Sequence, residues 1–376
     1  MVSIKELRYP LFFGVLGAFL GLWLRYFFTG GQLPVSFKFM LHAHSHLMML
    51  GFIFNALLLL VWQNFTSGFD LLSKRYFIAL QIFVLLMMIA FLYQGYGFYS
   101  ILFSTFHLWT SYILLIRLWK RLEGNRKLLF MIKAGIIFHF LSSLGPYALG
   151  PLSVMGLKAS PWYQQAVFFY LHFQFFGIYF VWLQALFFKK TNIIPELKFI
   201  KIIVVSLALL YVHSLDFSFD HPALNFIGGL TSTLLFVVYI TFYNRFKEQS
   251  FQYRFFYFIL LTVFALNILG SFPYFSDLVV QHRMILIAWL HFLFLGVFAP
   301  FIWMMRSIRL NGKYFIFYAI FFILTEFLLI YASFYTGIFG ISVMKVLFYT
   351  YLGVFIGFLT IHSVIYLRFR KPLLKA

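Results

Sequence analysis

The chain has 376 residues, of which 63% are hydrophobic, 24% aromatic and only 10% charged. That composition excludes a soluble globular protein, because a core of this length cannot hide so much apolar surface, and it makes lipid the solvent. The net charge of +20 does not mark a nucleic-acid partner: the basic residues stand in short clusters between apolar runs, as they do in the loops of membrane proteins. With no cysteine, disulfides, thiolate metal sites, iron–sulfur clusters and haem attachment through Cys-x-x-Cys-His are excluded, and histidine is left as the main soft-metal ligand.

About 20 apolar residues cross a bilayer. Separated by turn signals such as Thr29-Gly30-Gly31, Gly150-Pro151 and Asn311-Gly312, the apolar runs predict twelve spans. They cover 9–29, 37–62, 76–97, 99–119, 128–149, 162–188, 198–215, 222–244, 254–271, 280–306, 314–335 and 343–367. Lys5 and Arg8 precede the first run. That run is too long for a signal-peptide core and lacks a small-residue cleavage site, so it reads as span 1. If the N-terminus is cytoplasmic, the 29 Lys and Arg residues all fall inside except Arg25, Lys38, Lys158, Arg283 and Lys345. This bias predicts one all-α, twelve-helix transmembrane domain in a bacterial inner membrane, with both termini cytoplasmic.

Three stretches of the chain say nearly the same thing: His46-Leu-Met-Met-Leu-Gly51, His172-Phe-Gln-Phe-Phe-Gly177 and His291-Phe-Leu-Phe-Leu-Gly296. They recur about every third of the chain, on spans 2, 6 and 10, which all run from outside to inside. Four helices, with His107 of span 4, bring a histidine to the midplane or just above it. Histidine is costly in a membrane helix and turns toward a bundle interior or a cavity. Its neutral imidazole is also the nitrogen ligand that haem iron and copper prefer. Each histidine taken singly is as well explained by interhelical hydrogen bonding; the three together favour a shared ligand role. Within span 2, His42 and His46 are four apart on one face while His44 points nearly the opposite way. The repeat selects His46 as the ligand and puts His42 one turn nearer the outside. The glycine five residues on is off the histidine face and reads as a close-packing position.

These residues resemble the haem–copper oxidase superfamily, over the whole chain. The main subunit of that family has twelve core helices in three pseudo-symmetric arcs of four, with helices 2 and 10 supplying the axial histidines of haem and helices 6 and 7 supplying histidines to copper or non-haem iron. The resemblance implies a b-type haem between His46 and His291. It also implies a candidate second site at His172 and His213, and outward-facing propionates near His42, Arg25, Lys38 and Arg283. Its partners would be respiratory-chain subunits or an electron donor, quinol or cytochrome c. The chain departs from the family where His291 is followed by Phe292 and Leu293 instead of a second histidine, and where the position four after His172 is Phe176 instead of tyrosine. An incomplete or altered binuclear site is therefore expected, with oxygen or nitric oxide reduction as the reaction to test. The His42-Ala-His44-Ser-His46 segment is also similar to that of NnrS-like membrane proteins, which implies a non-catalytic haem or copper protein of the nitric oxide response.

Glu326 is the one acid expected within a span, at a cost of about 2.5–3.5 kcal/mol on insertion scales, and reads as a buried neutral acid. A third reading is a twelve-span secondary transporter without haem. It predicts helices broken at the midplane, against which the unbroken His-bearing runs argue.

Overall fold

The computed structural model describes residues 5–370, with side chains as far as Leu367 and Arg368. Among them are twelve helices long and apolar enough to cross a membrane: Lys5–Phe27, Phe37–Phe65, Leu71–Gln94, Phe98–Lys120, Arg126–Val154, Pro161–Thr191, Leu197–Phe219, Pro222–Ile240, Phe251–Leu269, Arg283–Met305, Lys313–Tyr331 and Val343–Arg368. These are spans 1 to 12, and each overlaps the run expected for it. Lys371 and Lys375 of the C-terminal basic cluster lie outside the described residues.

Local chemistry sets the ends. Ser36 Oγ accepts from the Phe39 amide at the start of span 2, and Asn125 Oδ1 from the Lys127 amide at the start of span 5. Ser160 caps span 6, with Pro161 in the first helical position, where its missing N–H costs nothing. Gly95 closes span 3 at φ +62°, and its amide binds Phe91 O.

The chain separates into two compact units. One comprises Met1–Gln63, Ser67–Arg117 and His282–Ala376, hence spans 1–4 and 10–12; the other comprises Asn64–Thr66 and Leu118–Gln281, hence spans 5–9. In the first unit, spans 1, 2, 10, 11 and 12 close a ring of contacts: 1 on 2, 2 on 10, 10 on 11, 11 on 12 and 12 on 1. Span 3 packs on span 2 from the other side. One half of the ring's interior is filled by aromatic side chains. Trp303 stands 4.8 Å from Tyr318, 5.4 Å from Phe358 and 5.9 Å from His362.

The three His-x-x-x-x-Gly stretches share one anatomy. In each, the α-helix ends at the histidine and a π-helical segment follows: Leu47–Phe54, Phe173–Tyr179 and Phe292–Phe298. The five-residue interval from His to Gly is the hydrogen-bonding interval of a π-helix, a rare form that marks functional sites more often than chance. Each glycine lies inside its segment, where a neighbouring phenylalanine crowds the backbone. A Cβ at Gly51 would stand 3.0 Å from Phe13 Cβ, at Gly177 2.9 Å from Phe138 Cβ, and at Gly296 3.0 Å from Phe322 Cε1. Burial changes at the same place. Residues 47–62, 172–188 and 295–304 are buried on every face, while the α-helical halves before them are only partly so. Runs apolar on all sides must be enclosed by other helices.

Candidate functional site in the five-span ring

The ring gathers polar groups in the half where span 1 ends. Each of its five helices contributes one: Arg25, His44, His291, Glu326 and Tyr351. Arg25 was expected at the interface, but it is buried. Its Nη1 donates to Gly21 O (3.1 Å), back along its own helix. Its Nη2 faces the His291 ring, 3.3 Å from Nδ1 and 3.5 Å from Nε2. The guanidinium carbon lies 3.7 Å from the centre of the Tyr351 ring, a desolvated cation–π contact.

His44 belongs to the same group. Its Nδ1 donates to Gly17 O (2.8 Å), which leaves Nε2 as the unprotonated nitrogen. Two glycines of span 1 make this approach feasible. A Cβ at Gly21 would stand 2.8 Å from His44 Cε1 and 3.0 Å from Tyr351 Oη, and one at Gly17 would meet Met48 Sδ at 2.6 Å. Spans 2 and 10 touch through their π-helical segments, while their α-helical halves make no comparable contact among the described residues. The two imidazoles therefore sit where those helices part.

His46 faces the other way. Its Nδ1 donates to His42 O (2.9 Å), its ring lies 4.3 Å from Phe91, and Tyr96 Oη is 3.4 Å from its Nε2. His42 stacks edge-on with Tyr96 at 4.5 Å. Both histidines look toward span 3. On span 2 it is thus His44 that lies on the side of Arg25 and His291, while His46, which the repeat selects, lies toward span 3. Of the expected propionate neighbours, Arg25 reaches His291, whereas Lys38 and Arg283 are exposed near the starts of spans 2 and 10.

In the second unit, His172 and His213 have separate partners. His172 Nε2 donates to Leu207 O (3.0 Å). That carbonyl lies just before Leu210 and Tyr211, where span 7 breaks between helices Leu197–Leu209 and Val212–Phe219. A helix end leaves carbonyls without amides, and His172 satisfies one of them. His213 Nε2 is 3.4 Å from Ser232 Oγ, and its ring covers Gly228. Among the described residues no three His, Asp or Glu side chains converge as a metal cage. A haem asks for fewer protein ligands, one or two axial donors.

Several polar groups were not anticipated. Asp216 is buried near the end of span 7, so Glu326 is not the lone acid within a span. Asp216 accepts from Ser276 Oγ (2.7 Å), Asn225 Nδ2 (3.2 Å) and the His221 amide (3.3 Å). Gln165 ties spans 6 and 7 through Ser214 O, Ser218 Oγ and Tyr211 Oη. Tyr351 had no sequence signal of its own. The face it meets did: Gly14, Gly17 and Gly21 recur on span 1 at helical spacing.

No protein-family model, curated protein or solved structure matches this chain.

Proposed function

We propose that the protein is a haem-binding redox protein of the membrane, a diverged relative of the haem–copper oxidase main subunit, in which His44 and His291 of the five-span ring would hold the haem. The observation that carries this reading is the pair of imidazoles on spans 2 and 10 at the point where those helices separate. The donor set suits the group. His44 Nδ1 is held by Gly17 O, so Nε2 carries the lone pair a metal needs, and a backbone acceptor on the far nitrogen is the usual support of a ligating histidine. Bound haem would supply one-electron chemistry. Around it, Arg25 and Tyr351 would supply a cation and a hydroxyl to an acidic substituent, and the aromatic half of the ring would keep water from the inner side. The shared anatomy of spans 2, 6 and 10 supports the three-arc arrangement as part of the same proposal. In that family's orientation, both termini are cytoplasmic and the ring site lies in the outer half of the inner membrane.

The test is an absorption spectrum with metal analysis of the purified protein. A Soret band and about one iron per chain are expected, both lost in His44→Ala and His291→Ala and both kept in His46→Ala. A colourless, metal-free protein overturns the proposal. A haem protein that turns over neither oxygen nor nitric oxide with a quinol or cytochrome donor is the NnrS-like alternative.

One observation favours the carrier as second reading. The His-bearing runs are not regular helices: spans 2, 6 and 10 change to π-helix near their middles and span 7 breaks at Leu210–Tyr211. Solute movement in vesicles by a protein without haem decides for it.

A further inference from the structure

We propose that Glu326 is a proton-binding site of the ring: its carboxyl group is neutral in the arrangement described here and releases its proton when Arg25 turns toward it. The inference rests on the ring's own side chains and holds with or without haem.

Packing sets the level of Glu326. On span 11, Phe322 meets Gly296 of span 10, and Leu328 and Leu329 join Ala288. The two helices run antiparallel, so residue 326 falls between these contacts, level with His291. Against span 12, Phe321 meets Gly353 and the pair Leu328 and Leu329 meets Val343 and Leu347. Residue 326 is then level with residue 348, about one turn from Tyr351. The two helices therefore place the carboxyl within about one turn of the group around Arg25.

Both of its oxygens are buried, and neither has a hydrogen-bond partner. An ionised carboxylate in that state would be an uncompensated charge away from water, so the group is the neutral acid. Arg25 has the complementary deficit: its Nε is buried and unpartnered, and its two Nη groups are spent on Gly21 O and His291. A guanidinium does not give up its proton. The ring thus holds one permanent cation and one acid that ionises only if that cation comes to it.

The ionisable groups that interact with Glu326 are Arg25 from span 1, Tyr351 from span 12 and, two turns along its own helix, Tyr318. The only other acid on these five spans is Glu6, at the start of span 1, where it pairs with Lys74 (2.6 Å). With no second carboxylate to receive the proton, Glu326 is a store that balances charge arriving in the ring, not a link in a relay. A negative charge that draws Arg25 away keeps the proton on Glu326; a positive one that displaces Arg25 toward the acid expels it.

Infrared spectroscopy of the purified full-length protein, titrated with pH in H2O and D2O, tests this. At neutral pH we expect the carbonyl band of a protonated carboxyl group, shifted down in D2O and fading as pH rises. Glu326→Gln, which imitates the neutral acid in shape, loses the band. In Arg25→Gln the band survives to higher pH, since the cation that stabilises the carboxylate is gone; in Arg25→Lys it fades as in the native protein. The inference is overturned if the native protein shows no such band at neutral pH, or if the band remains in Glu326→Gln. It is also overturned if a folded Arg25→Gln titrates as the native protein does. A protein that binds no haem yet shows this titration separates the two proposals.

Discussion

In span 6 the motif histidine donates to the Leu207 carbonyl, beside the break in span 7, whereas in span 10 the histidine at the same place in the motif faces the guanidinium of Arg25. Both stand at the junction of a partly exposed α-helix and a buried π-helical segment, and both are followed by a glycine with a phenylalanine packed against it. The motif therefore encodes a backbone event, a change of helical register held open by a close neighbour. What the histidine does chemically depends on the helix opposite. Span 2 adds a second lesson. Its motif histidine, His46, turns to span 3, and the residue that joins Arg25 and His291 is His44, outside the motif.

The largest effect that can break this contrast is on cofactor content. His291→Ala should remove the haem completely and His172→Ala should leave it in place, read from the Soret absorbance per chain. Equal loss in both would mean that the two sites are not distinct. Next comes the shared packing. Gly177→Val forces a branched side chain onto Phe138 and should lower stability by about 1–3 kcal/mol, seen as a lower midpoint of thermal unfolding in detergent. Gly296→Val, against Phe322, should behave alike; an unchanged midpoint in both would remove the packing role of the motif. A smaller change is expected from His172→Phe, which keeps ring volume but leaves Leu207 O without its donor, at about 1 kcal/mol and with no change in spectrum. The smallest is Ser232→Ala. Its hydroxyl lies 3.4 Å from His213 Nε2, a long bond, so stability should fall by no more than about 0.5 kcal/mol. A shift in metal content in this variant would mean that His213 has a ligand role.

Glu326 shows how a residue's type can be legible while its setting is not. An acid inside an apolar run announces that it is buried, because the alternative costs too much in lipid. Nothing in the run 313–331 says that Arg25, some 300 positions earlier, lies in the same ring. Arg25 itself reads as an interfacial cation from its place at the end of span 1, and long basic side chains there do reach for the headgroups. The three glycines on span 1 let spans 2 and 12 approach so closely that the guanidinium turns inward, onto Tyr351. The histidines show the same limit. Helical periodicity tells His42 and His46 from His44, but not which face meets span 10.

The twelve spans were determined by the sequence alone. Each needs only its own run of apolar residues, since a bilayer gives unpaired backbone groups no water and a helix satisfies them within one segment. The recurrence of His-x-x-x-x-Gly was equally visible, being a matter of local spacing. Tertiary structure decided the rest: the π-helical turns, the grouping of spans 1, 2, 10, 11 and 12 into a ring, and the choice of His44 as the histidine inside it. Those depend on which surfaces meet, and in lipid that choice is made by close packing of small residues against rings and by a few buried polar contacts, between positions far apart in the chain.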